Sequence, residues 1–173
     1  ALEMSDKKAQ AHTFLEKHVQ MHSNDIPSAM LLAERQIGKD RAAAIKTYEQ
    51  VLAKTPDNFV VLNNLAFLAL EDKKLTRAEE LAKKAVSLQR ENADAADTLA
   101  QIYIAKGDKA AALKLYEEVA ARPIANDDVY LNYVSVLLEL DKKALASRKL
   151  ASREFKSEAA KQRAESLKQQ YGL

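Results

Sequence analysis

Three histidines near the start of the chain are the residues whose type and spacing come nearest to metal chemistry. His18 and His22 are four residues apart, so they share one face of a helix, as paired zinc ligands do. A zinc site needs at least three protein ligands, and the chain has no Cys and no suitably spaced carboxylate to complete the set. We therefore expect no metal site, and we assign these residues and His12 to the surface of a terminal helix.

Adjacent carboxylates are the second group with chemical potential. They occur as Glu79-Glu80, Glu117-Glu118 and Asp127-Asp128. Neighbours on a helix diverge by about 100°, so such a pair cannot face one bond from two sides as a hydrolase requires. The sequence also has no Gly-rich phosphate loop and no nucleophile elbow. We predict a protein that is not an enzyme and that needs no cofactor.

The elements that would position these side chains are helices. The 173 residues include only three Gly and three Pro, and they are rich in the strong helix formers Ala, Leu, Lys, Glu and Gln. No run of 18 apolar residues occurs, so no transmembrane segment is expected within this chain. The formal net charge of +2 is too small to indicate nucleic acid, although residues 141–173 hold 9 Lys and Arg against 4 Asp and Glu.

A pattern of small and large residues returns every 34 residues. Leu65 and Ala66 reappear as Leu99 and Ala100. A spacing of this size is typical of paired antiparallel helices that stack side by side. The small residue expected where the two helices of a unit cross is Ala44, Ala78, Ala112 or Ala146. Tyr48 and Tyr116 are expected to fill the space toward the next unit. The earliest unit fits when its turn at 38–40 is one residue shorter.

Turn residues separate the two helices of each unit. Gly107 is expected to take a positive φ at the end of one helix, and Asp108 to cap the next. Pro56 and Pro123 lie at unit ends, where they stop one helix before the next begins.

Spacing and residue types together resemble the tetratricopeptide repeat over residues 26–153, although Arg90 stands at the usual Pro position and no unit has the family's Trp. The resemblance implies an all-α, right-handed α-solenoid. We predict a half-repeat helix at 5–25, units at 26–58, 59–92 and 93–126, a degenerate unit at 127–154, and a basic capping helix at 155–173. The half-repeat suggests that the chain is part of a longer array.

In such a solenoid the first helices line a concave groove, and their projecting side chains are the candidate binding site. By register the candidate residues are Met30, Glu34, Asn63, Phe67, Leu70, Glu71, Asp94, Asp97, Gln101, Ile104, Asp128 and Leu131. The same register also brings Val60 to this face. Their mixture predicts a protein or peptide partner of apolar and basic character. The clamp for a terminal carboxylate found in some relatives is not expected, because Asp94 and Thr98 stand where it needs cations.

A narrower resemblance concerns the phrases AHTFLEKHVQMHSND at 11–25 and NADAADTLAQIYIAKGD at 92–108. They are similar to repeat proteins of the exosortase (PEP-CTERM) system of Gram-negative bacteria, which are associated with exopolysaccharide export and are often lipoproteins. This resemblance implies a periplasmic or membrane-anchored scaffold.

Two alternatives to a peptide-binding scaffold remain open. One is self-association through the apolar surface of the first helix, which would form a homo-oligomer. The other is a glycan or small-ligand binder, for which only Phe67 and Tyr130 offer stacking aromatics.

Overall fold

The computed structural model describes the backbone of residues 2–173 and the side chains of residues 10–173. Over this range every regular element is an α-helix. The ten helices are α1 (Leu2–Met21), α2 (Ile26–Ile37), α3 (Arg41–Lys54), α4 (Phe59–Glu71), α5 (Leu75–Leu88), α6 (Ala93–Ala105), α7 (Lys109–Val119), α8 (Asp127–Glu139), α9 (Lys143–Ala151) and α10 (Glu158–Tyr171). The predicted all-α solenoid is confirmed.

Helices α2 to α9 form four helical hairpins that stack side by side. Each hairpin has a first helix (α2, α4, α6 or α8) and a second helix (α3, α5, α7 or α9). The four crossing alanines are fully buried, which confirms that only a small side chain fits where the two helices of a unit meet. Tyr48 and Tyr116 are also buried, at 1% and 0% exposure, and fill the spaces between units as predicted.

The turns between paired helices follow one geometry in three units. Gly107 has a φ of 86°, and the backbone N–H of Asp108 donates to the carbonyl of Tyr103 over 2.8 Å. Lys73 and Asp141 occupy the same turn position with φ values of 59° and 58°. The first unit differs, since Gly38 has a φ of −82° and the N–H of Asp40 donates to the carbonyl of Gln36, four residues back instead of five. In this sense its turn is one residue shorter, as predicted.

Polar side chains start most of the helices. The predicted cap Asp108 accepts a hydrogen bond from the N–H of Ala111 at 2.9 Å, which fixes the beginning of α7. Asn58, Asn92 and Asn126 cap the first helices α4, α6 and α8 in the same manner. These caps set the point at which each first helix begins and therefore align the units with one another.

The stack curves so that the first helices lie on its inner side. Helix α4 contacts α6, and α6 contacts α8. On the opposite side, clefts separate neighbouring helices. One cleft between α1 and α3 has a volume of ≈ 650 Å³, and another between the second helices α5 and α7 has a volume of ≈ 270 Å³. Because the first helices touch while the second helices diverge, the first helices line the concave face.

Helix α10 packs against α8 and α9 at the carboxyl end of the stack. Ala160 and Ala164 are buried, and they lie 31 residues after the buried residues Val129 and Tyr133 of α8. This register places α10 where the first helix of a further unit would stand. Its opposite face is polar and exposed, which is what the end of a solenoid requires.

The second half of the last unit departs from the repeat pattern at Arg153. This residue stands where Val119 packs in the preceding unit. Its Nε donates to Oδ1 of Asp127 at 3.0 Å, and its Nη1 donates to the carbonyl of Ile124 at 2.7 Å. The Arg153 guanidinium holds the pKa of Asp127 below its usual range. A charged clamp between the ends of α8 and α9 thus replaces an apolar contact.

The amino-terminal helix α1 packs on α2, with Val19 against the core. Phe14 and Met21 are 72% and 73% exposed, because α2 covers only one side of α1. Oδ2 of Asp25 lies 2.8 Å from Nε2 of His18, and this contact is the main reason that the pKa of Asp25 falls to about 2.

The candidate protein-binding groove

The concave face divides into an apolar part and an acidic part. Among the described residues of the first helices, the exposed large apolar side chains are Leu31, Val60 and Phe67, at 43%, 45% and 46% exposure. All three lie on α2 and α4. Apolar side chains that project from a groove in this way are the usual anchors of a protein interface, and aromatic ones contribute most.

The acidic part of the groove lies on α6 and α8. Asp94 and Asp128 are exposed, and Asp97 is half-buried beside them. Over residues 10–173 no Lys or Arg side chain lies within 4.0 Å of Asp94 or Asp97, while Nη1 of Arg163 lies 3.6 Å from Oδ1 of Asp128. Negative charge in this part of the groove is therefore only partly compensated by the chain itself.

A chain of hydrogen bonds crosses the acidic part of the groove. The buried phenol of Tyr116 on α7 donates to Oδ1 of Asp97 on α6 at 2.5 Å, and Nδ2 of Asn132 on α8 donates to the same oxygen at 2.9 Å. Arg163 on α10 donates in turn to Oδ1 of Asn132 at 2.6 Å. Four helices are thus linked through side chains beneath the concave surface.

Burial is the main reason that the pKa of Asp97 is raised, and the hydrogen bonds from Tyr116 and Asn132 oppose the rise only in part. The negative charge of Asp94 adds to it. Burial also raises the pKa of Tyr116, and the negative charge of Asp97 raises it further. The phenol therefore remains a donor at physiological pH, and the carboxylate is fixed as its acceptor.

The corresponding position in the preceding unit, Asn63, lacks these partners. Its Oδ1 is buried without a hydrogen bond from the described residues. The reason is visible in the repeat: Ala82 stands where Tyr116 stands one unit later, and Thr98 stands where Asn132 does. The hydroxyl of Thr98 donates instead to the carbonyl of Asp94.

The structure places the twelve predicted groove residues in three different environments. Five have exposed side chains: Glu34, Phe67, Glu71, Asp94 and Asp128. Six are half-buried: Met30, Asn63, Leu70, Asp97, Gln101 and Ile104. Within these groups, Nη2 of Arg41 lies 3.4 Å from Oε2 of Glu71, and Gln101 donates to the phenol of Tyr116 at 3.3 Å.

Leu131 is the predicted groove residue that the structure contradicts. It is 0% exposed and belongs to the buried cluster that contains Ala160 and Ala164. Leu131 occupies the same repeat position as Asn63 and Asp97, which lie in the groove. Because α10 packs on α8, the side chain of Leu131 is covered and does not reach the groove surface. A side chain with no exposed surface cannot contact a partner.

Sequence reasoning missed three residues of the concave face, namely Leu31, Asn132 and Arg163. The first two follow from the repeat, since both occupy the row that holds Asn64 and Thr98. Arg163 could not be aligned, because the linker before α10 breaks the 34-residue period. Asn64 itself donates to the phenol of Tyr48 at 2.9 Å and so contributes to the structure of its own unit boundary.

Metal binding and aromatic stacking are two other chemistries that the groove and its neighbouring helices could offer. No group of three or more His, Asp or Glu residues in the described part of the chain is placed to hold a metal ion. Tyr130 faces α9 rather than the groove, since its hydroxyl donates to the carbonyl of Lys149 and its ring packs against Arg153 and Phe155. Of the two aromatic side chains predicted for stacking on a ligand, Phe67 is therefore the one available in the groove. None of the described helices combines the length and apolarity that a bilayer span requires.

Comparison with known proteins defines the class of repeat. Two family models, both described as tetratricopeptide repeat, match residues 38–102 and 92–122. No curated protein sequence matches the chain. Residues 38–122 are therefore similar to tetratricopeptide repeats.

Solved structures of MamA have the same fold. One crystal structure of MamA is 14% identical, covers 98% of this chain and 95% of its own, and superposes with a TM-score of 0.71. A structure of MamA residues 41 to the end from Desulfovibrio magneticus RS-1 is 14% identical, covers 83% of this chain and 81% of its own, and has a TM-score of 0.70. At this identity the likeness extends to the fold alone.

Proposed function

We propose that the protein is a non-catalytic interaction scaffold that holds a segment of a partner protein in its concave groove. The observation that supports this proposal is the set of exposed apolar side chains on the concave face, Leu31 on α2 and Val60 and Phe67 on α4. A soluble helix surface that served only the fold would place polar residues at these positions.

The test is a comparison of two variants in a pull-down from a Gram-negative lysate, with envelope and cytosol kept separate. Val60→Ser/Phe67→Ser removes apolar surface from the groove. Leu88→Ser removes a similarly exposed apolar side chain, at 42%, from the second helix α5. A partner retained by the natural chain and by Leu88→Ser, but lost on the groove variant, supports the proposal. Equal retention by all three chains refutes it.

The narrower form of the proposal is a periplasmic or membrane-anchored role in exopolysaccharide or surface-protein export. Its support is the resemblance of residues 11–25 and 92–108 to exosortase-associated repeat proteins. Recovery of the groove-dependent partner from the envelope fraction supports this form. Recovery from the cytosol alone refutes it and leaves the general scaffold proposal intact.

A second candidate function is self-association through α1. It is favoured by the exposure of Phe14 and Met21, at 72% and 73%, on a helix that α2 covers on one side. Sedimentation at several concentrations tests it. A mass that rises with concentration and returns to the monomer in Phe14→Ser/Met21→Ser supports the candidate, and a constant monomer mass refutes it.

A further inference from the structure

Three rows of the concave face change character in the same direction along the stack. Each row consists of residues at one position of successive units. The first row runs from Pro27 through Val60 to Asp94 and Asp128, and the second from Glu34 through Phe67 to Gln101 and Ser135. The third runs from Leu31 to Asn64, Thr98 and Asn132. In every row the member on α2 or α4 that is exposed and apolar gives way to polar or acidic members on α6 and α8.

The two ends of the groove therefore have different binding preferences. At the α2–α4 end, exposed apolar surface favours apolar side chains of a partner. At the α6–α8 end, the exposed Asp94 has no cation of the described chain within 4.0 Å, so its negative charge is available to a partner, whereas Asp97 is half-buried and already accepts from Tyr116 and Asn132. The negative charge of Glu71, at the apolar end, is partly compensated because Arg41 pairs with it. Glu34 remains as one exposed carboxylate there.

Arg163 shows what the acidic end accepts. Its guanidinium donates to Asn132 at 2.6 Å and lies 3.6 Å from the carboxylate of Asp128. Arg163 lies 31 residues after Asn132, so it extends the third row by one unit. A guanidinium from the chain itself thus occupies the outer edge of the acidic part. Asp94, one unit inward, accepts a hydrogen bond from Nδ2 of Asn126 at 3.0 Å but has no cation of the described chain beside it.

We propose, on the basis of the proposed scaffold function, that the groove selects a segment in which apolar and basic residues are segregated. The apolar residues lie toward α2 and α4, and Arg or Lys side chains lie toward Asp94 and Asp128. First helices packed roughly 8–10 Å apart span roughly 24–30 Å from α2 to α8, which roughly eight extended residues cover at about 3.3 Å each. Charge complementarity orients the segment, and the apolar contacts hold it.

Synthetic peptides test this proposal with the full 173-residue chain. Three fluorescent 12-residue peptides are compared by anisotropy: one with its Leu/Phe and Arg residues in separate halves, one of identical composition with these residues alternating, and one segregated peptide with Glu in place of Arg. The protein variants are Asp94→Asn/Asp128→Asn in the groove and Glu117→Gln/Glu118→Gln on the exposed side of the second helix α7. Both variants remove two negative charges without changing side-chain size.

We expect the segregated basic peptide to bind more tightly than the other two. Asp94→Asn/Asp128→Asn should weaken it about three- to tenfold and reduce its salt dependence, since exposed ion pairs contribute modestly to binding and are screened by salt. Glu117→Gln/Glu118→Gln should leave its affinity unchanged. Equal binding of the alternating or the acidic peptide, or no effect of the Asp94 and Asp128 substitutions, overturns the proposal.

Failure of this proposal is distinguishable from failure of the scaffold function. If none of the three peptides binds, while a lysate partner is still lost on Val60→Ser/Phe67→Ser, the segregated segment is refuted and the scaffold function stands. If the lysate partner is retained by that variant as well, both proposals are refuted.

Discussion

The phenol of Tyr116 and the carboxylate of Asp97 are joined by a hydrogen bond of 2.5 Å that connects the core of the third unit to its concave surface. Tyr116 is fully buried and Asp97 is half-buried. Asn132 donates to the same carboxylate oxygen from the next unit. An acidic group of the groove is therefore held in place by the residues that fill the space between units.

Asp97→Asn should change the pH dependence of stability. Burial raises the pKa of Asp97, so the folded chain keeps this proton to a higher pH than the unfolded chain does. Asp97 therefore favours folding least when it is ionised. As pH rises from the usual range of an Asp toward neutrality, the natural chain should lose stability relative to Asp97→Asn, which retains the acceptor oxygen. Urea unfolding of both chains at pH 4 and pH 7.5 measures this; a constant difference contradicts it.

Tyr116→Phe should destabilise the chain by about 1–3 kcal/mol, because it leaves a half-buried carboxylate without its principal donor. Tyr133→Phe is the matched control. Tyr133 is also buried and stacks on Tyr116 with ring centroids 5.5 Å apart, but its hydroxyl donates to no other described residue. Chemical denaturation should show a much smaller loss for the control. Similar losses in the two variants would mean that the Tyr116 hydroxyl contributes nothing specific.

Ala112→Leu should overpack the crossing of α6 and α7 and cost about 1–3 kcal/mol in the free energy of unfolding. Ala112 is fully buried, whereas Ala110 on the same helix is exposed. Ala110→Leu therefore introduces the same side chain without the clash and should be close to neutral. A neutral result for Ala112→Leu, measured by thermal or urea unfolding, would show that the crossing has been placed at the wrong residue.

Gly107→Ala and Gly38→Ala should have opposite effects, although both glycines follow a first helix. Gly107 has a φ of 86°, a conformation that costs an Ala about 1–2 kcal/mol. Gly38 has a φ of −82° and open space around its Cα, so an added methyl group should stabilise by about 0.4–1 kcal/mol through the unfolded state. Thermal unfolding of the two variants measures the difference, and equal shifts in one direction would contradict it.

The architecture was predictable because the same pattern of residue types repeats every 34 residues. The four crossing alanines, the cap Asp108 and the positive φ of Gly107 each follow from one local requirement that every unit must satisfy. Even the shorter turn at Gly38 was visible as a one-residue shift in the repeat. Such features depend on contacts within a unit, so the sequence of one unit is enough to infer them.

The groove was less predictable because it depends on contacts between units. Leu131 has the register of Asp97, yet it is buried because α10 covers α8. Arg163 donates to Asn132 across a spacing of 31 residues, which the 34-residue period does not predict. Tyr116 was expected as a space-filling side chain, and its hydroxyl's link to Asp97 depends on the separation of α6 and α7. No local pattern encodes these distances.

Site-specific photo-crosslinking tests most directly whether the concave face contacts the partner. Phe67 and Leu88 are each replaced in the full chain by the photoreactive amino acid p-benzoylphenylalanine; these positions are 46% and 42% exposed, on a first and a second helix respectively. After irradiation in the envelope and cytosol fractions, we predict a discrete crosslinked protein from position 67 and none from position 88. Crosslinking from position 88 without crosslinking from position 67 would contradict the account.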